Sequence, residues 1–293
     1  MIAIIPRIES SWTRIITYPD NHLNDFCLFK APGGRWHCIG IIGTGTWDSE
    51  TSFFHCSSDN LFGPYEKHDV LLTELDQGPT TNSAPQKHAP FIVVQNDMFY
   101  MFFRRPGGTN LLLKSTDCFH WPKVPTVVFE ENDARDTCIQ KFAGVFHWYY
   151  CQWRQINGKG RSCIRLRRSR DLENWSSSID VHVDESREVG HSHLESPFVV
   201  CAANKYWLFV RDRSLDERCV TTVFRSDSPV CFRSGVRTWD GELEGIHAPE
   251  LVEDAGNWHI ARVSGPPGLP AAPKHGGWIE IARISFPEET ESK

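Results

Sequence analysis

Helical periodicity is nearly absent from this 293-residue chain, which reads instead as short β-branched and aromatic runs broken by Gly, Asn, Asp and Pro turns. No Gly-rich loop leads into a helix to cradle phosphate, and no Ser occupies a nucleophile-elbow context, so neither nucleotide binding nor serine-hydrolase chemistry has a signal here. Excess positive charge is also lacking. With a formal charge of −6 and a pI near 6.1, the molecule offers no field to attract nucleic acid or an anionic membrane. No apolar run approaches the length of a membrane span, and MIAIIPRIESSWTRI has no basic stretch ahead of an apolar core, so no signal peptide is expected. The 10 cysteines include no CxxC pair, and Cys38, Cys56, Cys151, Cys163 and Cys201 fall inside apparent strands. Buried free thiols in a reducing, cytoplasmic setting are expected rather than a disulfide framework.

Large rings are plentiful, with 11 Trp, 18 Phe and 6 Tyr, a composition that suits strands and carbohydrate-facing surfaces. The one basic cluster, Arg165, Arg167, Arg168 and Arg170, reads as the solvated outer face of a strand. Five segments share one pattern. They begin NDFCLFKAPGGRWHCIGII at Asn24, HAPFIVVQNDMFYMFF at His88, RDTCIQKFAGVFHWYYC at Arg135, ESPFVVCAANKYWLFV at Glu195 and HAPELVEDAGNWHIARV at His247. Each opens on a polar residue, runs as an apolar strand, turns through a short Gly/Asn/Asp loop and returns as a strand. Four continue into a third strand that ends near a recurring Ser-Asp piece. The markers 25, 88, 136, 195 and 247 are 63, 48, 59 and 52 residues apart, the spacing of four-stranded blades. The expected fold is all-β, a five-bladed β-propeller occupying residues 1–293 as one domain. The last segment lacks an outer strand, which residues 2–8 or 13–17 could supply, closing the ring and protecting its edges.

In a propeller the inner strands surround the axis, so Asp25, His88, Asp136, Glu195 and His247 should converge at one end. Three carboxylates in one partly dehydrated cleft push their pKa values apart, leaving one protonated and another ionised, as glycosidic bond cleavage requires. These strand starts resemble those of the five-bladed propeller glycosidases, glycoside hydrolase families 43 and 32 and their relatives, over nearly the whole chain. Asn24-Asp25 with the later Gly34–His37 stretch is similar to the fructosidase first-blade motif, whose Asp is the nucleophile; in the arabinan- and xylan-cleaving relatives that Asp is the general base. Arg135-Asp136 resembles the Arg-Asp-Pro motif whose Asp holds sugar hydroxyls and tunes the acid. Glu195-Ser196-Pro197 resembles the motif that carries the general acid. Phe26 and Cys27 stand where the fructosidase motif has Pro and Asn, and Thr137 follows Asp136 in place of Pro.

The resemblance implies hydrolysis of a terminal furanoside, arabinofuranoside- or fructofuranoside-like, or a related sugar from an oligo- or polysaccharide. Glu195 would be the acid, Asp25 the base or nucleophile and Asp136 the positioning carboxylate. The alternative is a propeller that binds carbohydrate without cleaving it. A kelch or WD interaction propeller is disfavoured, because Trp47-Asp48 and Trp239-Asp240 are out of phase with the third strands. Loops after each second strand should line the cleft with Trp47, Arg104, Arg105, Trp153, Arg154, Arg211, Asp212 and the Ser264–Gly277 stretch, offering ring faces and guanidinium donors to a sugar. Asn24, His88, Arg135 and His247 complete the expected substrate-binding set. His191, His193 and Glu195 alternate on one face, but this is read as a pocket wall, with His193 bonded to Glu195 or substrate, and not as a catalytic metal site. No cofactor is required; His247 resembles the fifth-blade His that in several family 43 enzymes lies over a central calcium or water, which makes a structural calcium on the axis an option.

Overall fold

In the computed structural model, which describes residues 5–45, 47–72, 86–235, 238–264 and 276–287, five antiparallel sheets form a five-bladed β-propeller. Blade 1 comprises His22–Lys30, Trp36–Gly43, Ser52–Ser58 and Glu66–Lys67; blade 2, His88–Gln95, Met98–Arg105, Thr109–Ser115 and Thr126–Glu130. Arg135–Phe142, Val145–Ile156, Lys159–Ser169 and Ile179–Asp184 make blade 3; Leu194–Ala202, Lys205–Asp212, Val220–Ser226 and Gly241–Glu244 make blade 4. Blade 5 is His247–Asp254, Asn257–Ser264 and Trp278–Ser285. Its outer edge is filled by both of the expected N-terminal segments, Arg7–Ile8 and Thr13–Thr17, which pair antiparallel to Trp278–Ser285. Ile15 and Ile16 thereby enter a core shared by blades 5 and 1, with Leu23, Phe54, Ala261 and Ile281. Among the described residues the only helical turns are the short 3-10 segments Trp47–Ser49 and Arg213–Arg218, and no helix is long and apolar enough to cross a membrane.

The first strand of every blade touches its counterparts in the two neighbouring blades, closing an inner ring in the order 1-2-3-4-5-1. Because these strands and their hairpin partners are covered on both faces, they read as near-continuous apolar runs: all of Trp36–Gly43 is buried. A side chain at Gly40 would meet Phe26 and a Phe54 ring carbon at 2.6 Å, so only glycine lets those two rings close over the strand.

Each inner strand breaks register near its start, between Asn24 and Phe26, His88 and Phe91, Arg135 and Cys138, Glu195 and Phe198, and His247 and Glu250. At four of these bulges one residue is left-handed: Ala89 (φ 47°), Asp136 (62°), Ser196 (47°) and Ala248 (48°). The sequence markers therefore differ by one in phase. Arg135, not Asp136, is the register equivalent of His88, Glu195 and His247, and Asp136 occupies the bulge itself.

The recurring Ser-Asp piece proves to be a turn built by side chains. Ser115 Oγ accepts from the amides of Asp117 and Cys118, and Asp117 Oδ1 from those of Phe119 and His120; Ser169 and Asp171 repeat this in blade 3. In blades 1 and 4 Ser58 with Asn60 and Ser226 with Ser228 play the corresponding parts. The basic cluster departs from expectation. Arg168 and Arg170 are exposed, but Arg165 and Arg167 turn toward the part-buried Glu131 and share it with Tyr150 and Ser178. All ten cysteines are unpaired, and seven are buried.

Candidate active site

The bulges and the ends of the second strands place a cluster of carboxylates and guanidinium groups at one end of the axis. Arg104 and Arg211, expected in loops, are instead the direct cross-strand partners of His88 and Glu195. Arg135 occupies the middle of the cluster. Its Nη1 donates to Asp136 Oδ2 at 2.8 Å and to Glu195 Oε1 at 3.1 Å, while Nη2 donates to the carbonyls of Ser192 and Leu194 at 2.9 and 3.1 Å. Burial works against its charge, but Asp136 and then Glu195 outweigh this and raise its pKa. Glu195 also accepts from Arg211 Nη1 at 3.1 Å and Arg213 Nη1 at 3.2 Å, so three guanidinium groups hold one carboxyl. Ser196 joins the other two acids: its hydroxyl donates to Asp25 Oδ1 at 3.3 Å and its amide to Asp136 Oδ2 at 3.1 Å. The left-handed turn at Ser196 is what brings both groups inward.

The pKa of Asp25 is raised well above the ordinary range, first by burial and then by the charges of Asp136, Glu195 and Glu50; the Ser196 hydroxyl opposes this. Glu50 is a fourth carboxylate that the sequence reading missed. It follows the 3-10 turn and accepts from Nε2 of His22 (3.1 Å), Nδ2 of Asn24 (3.1 Å) and Nε2 of His88 (3.2 Å). Burial alone would raise it, but the hydrogen bonds from His22, His88 and Asn24 win, and its pKa falls to about 2. Burial pulls the His88 ring down in spite of Glu50, so at neutral pH the contact joins a carboxylate to a neutral imidazole. Asn24 and His88 thus hold Glu50, with Arg104 3.4 Å from the other nitrogen of His88. A fifth acid, Glu250, is buried beside Asp25, its pKa raised well above the ordinary range chiefly by burial.

Beneath the acids an axial chamber of about 20 Å³ is lined by Asp25, Asp136, Ser196 and Glu250 with Ala89, Pro90 and other apolar groups. That is room for one water. Calcium takes six to eight oxygens, whereas His247 presents Nε2 to the Arg211 guanidinium at 3.1 Å. A second cation beside that nitrogen would be repelled, so His247 does not fit as part of a calcium site.

Other expected residues lie apart from the acids. His193 is not bonded to Glu195; its Nδ1 meets Ser162 Oγ at 3.1 Å and its Nε2 meets Asp184 at 2.7 Å, because blade 3 offers it a buried carboxylate. It borders an adjoining pocket of about 290 Å³ with Arg187, His191, Arg213 and Ser214. Trp153 is fixed by its indole N–H to the Val189 carbonyl at 2.7 Å, and Arg154 pairs with Asp180 on the outer strand, outside the acid cluster. Asp212 caps Ser214 at the start of the second 3-10 turn. The Trp47 side chain and residues 265–275 of the Ser264–Gly277 stretch lie outside the described residues. Arg213, Ser196, Glu50 and Glu250 carried no signal as site members; the one hint was the Glu-Ser-Pro and His-Ala-Pro-Glu contexts that place Ser196 and Glu250 on inner strands.

No known family model matches the chain, and no curated protein does either. Solved structures do resemble it. The RS223 β-xylosidase superposes with a TM-score of 0.69 at 12% identity, over 94% of this chain and 96% of its own. CoXyl43, a GH43 β-xylosidase/α-arabinofuranosidase from a compost microbial metagenome solved with xylotriose in a calcium-free form, gives 0.68 at 14% identity, over 97% and 99%. The GH32 β-fructofuranosidase BmSUC1 of Bombyx mori gives 0.63 at 18%, over 94% of this chain and 61% of its own. The chain therefore has the five-bladed propeller fold of GH43 and GH32 glycoside hydrolases.

Proposed function

We propose that the protein is a glycoside hydrolase that releases a terminal furanoside or related sugar from an oligo- or polysaccharide. The observation that carries this is the convergence of Asp25, Asp136 and Glu195 at one end of the axis, joined through Arg135 and Ser196. In this reading Glu195 protonates the departing oxygen. Asp25 acts on the opposite face of the ring, as nucleophile or by activating water, and Asp136 holds sugar hydroxyls while fixing Arg135. The similar structures of a β-xylosidase/α-arabinofuranosidase and a β-fructofuranosidase support a pentose- or fructose-sized sugar in the pocket.

One observation favours a second reading with the roles exchanged. Asp25 is the carboxyl that burial and neighbouring charges drive toward its protonated form, whereas Glu195 is surrounded by guanidinium donors. Leaving-group dependence separates the two. Under the first assignment Glu195→Gln loses most activity on substrates whose leaving group needs a proton and least on an activated aryl glycoside, while Asp25→Asn loses both. The exchanged roles give the reverse pattern. A wild-type protein that binds these sugars and turns over neither kind of substrate is the carbohydrate-binding alternative, and the hydrolase reading then fails.

A further inference from the structure

At the end of the propeller opposite the acids, blades 1 and 2 meet over a buried cluster that the site does not use. His37 lies near the start of the second strand of blade 1, and His55 is on the adjacent third strand. Cys118 lies in the side-chain-built turn that follows Ser115 in blade 2. Their candidate donor atoms all lie within 4.8 Å of one another, and the three residues are 4%, 0% and 1% exposed. His37 Nδ1 is 2.9 Å from His55 Nε2 and 3.5 Å from Cys118 Sγ. One ring nitrogen carries a single proton or a single lone pair, so it cannot satisfy two such neighbours fully. His55 Nδ1 is also buried and has no hydrogen-bond partner.

We propose that His37, His55 and Cys118 bind a metal ion that seeks thiolate and imidazole donors, zinc foremost. Three such donors gathered in one buried place are what such a cation satisfies. Zinc bonds of about 2.0–2.1 Å to nitrogen and about 2.3 Å to sulfur set tetrahedral donors roughly 3.3–3.6 Å apart, so His37 Nδ1 and His55 Nε2 need to part by a few tenths of an ångström from 2.9 Å, while the other donors, all within 4.8 Å, draw in to that spacing. With no carboxylate among the donors, the set is too soft for calcium or magnesium. His68, whose ring centroid is 4.9 Å from that of His55, is placed to supply a fourth donor once it releases Ser57 Oγ. Phe119, itself exposed, packs on His37, His55 and His68, and its rotation gives an ion a way in. The ion would clamp blade 1 to blade 2 without touching the sugar pocket.

The test is metal binding by the intact chain after mild chelation. One equivalent of Zn²⁺ is expected to bind and to raise the unfolding temperature by several degrees. Co²⁺ in its place is expected to give tetrahedral d–d bands and a thiolate charge-transfer band. Cys118→Ser should remove the charge-transfer band, while Cys231→Ser, at an exposed cysteine, should leave it unchanged. If Cys118→Ser does not fold, the wild-type titration and the Cys231→Ser spectrum still decide. Absence of stoichiometric binding by the wild type, or a charge-transfer band lost in Cys231→Ser and kept in Cys118→Ser, overturns the proposal.

Discussion

Arg135 ties Asp136, Glu195 and two backbone carbonyls together inside the ring, so its loss leaves the buried Asp136 and the part-buried Glu195 without their common partner. Arg135→Met is therefore expected to destabilise the fold by about 3–5 kcal/mol, the usual consequence of removing one member of a buried ion pair. Urea unfolding monitored by tryptophan fluorescence measures it. Glu50 makes a prediction about pH. Its folded pKa is depressed to about 2 from an ordinary 4.5, so its contribution to stability is fully present above the ordinary value and is lost as pH falls toward 2. Wild type should lose stability more steeply than Glu50→Gln across that window, and equal slopes would show that Glu50 does not contribute. Asp25, Asp136 and Glu195 could be drawn together from the sequence because each lies at or within one residue of the bulge that opens an inner strand. Glu50 could not, because nothing in Trp-Asp-Ser-Glu tells that residues 22, 24 and 88 will close around it. His193 misled for another reason: the inner strand begins only at Leu194, so strand alternation does not reach back to His193, whose Nε2 instead meets Asp184 of the neighbouring blade.

The bulges set the geometry of every inner strand, and they put Asp136 one residue beyond the position that His88, Glu195 and His247 hold in their blades. Hairpin periodicity revealed five blades, yet an inserted residue leaves the apolar pattern downstream intact, so the one-residue offset of Asp136 from His88, Glu195 and His247 was invisible. Backbone strain provides the check. Ala89 and Ala248 adopt left-handed conformations that suit glycine and exclude β-branched residues. Ala248→Val should cost roughly 1–3 kcal/mol by the usual penalty for such strain, whereas Ala248→Gly should be neutral or slightly stabilising. Thermal unfolding of the pair gives the comparison, and a tolerated valine would mean that the bulge is absent in solution. The second-strand arginines follow the same logic: Arg104 and Arg211 reach the site because register, not loop length, sets them opposite His88 and Glu195.

Closure depends on a short stretch near the beginning of the chain. The need for an outer strand in blade 5 could be read from the missing fourth strand; that both candidate segments would share one edge could not, since each is only a few residues long and weakly patterned. Removing residues 1–17 uncovers the edge of Trp278–Ser285 and takes Ile15 and Ile16 out of the core, a loss of about 3–6 kcal/mol from those two side chains alone. The truncated protein is expected to unfold at lower temperature and to associate through the bared edge, which light scattering would detect; a monomer of unchanged stability would show that the closing strand is dispensable.

The same closure has a mechanical consequence. Arg7 pairs with Ser285, Ile8 with Ile284, Thr13 with Ile281 and Thr17 with Trp278, so the outermost pair joins the earliest residue of one segment to the last residue of the other. A force drawing the chain before Arg7 away from the chain after Ser285 loads these pairs one after another, as in a zipper, and never all together in shear. The ring resists heat and denaturant with its whole core, but against tension applied at that seam it resists with only one pair of strands at a time.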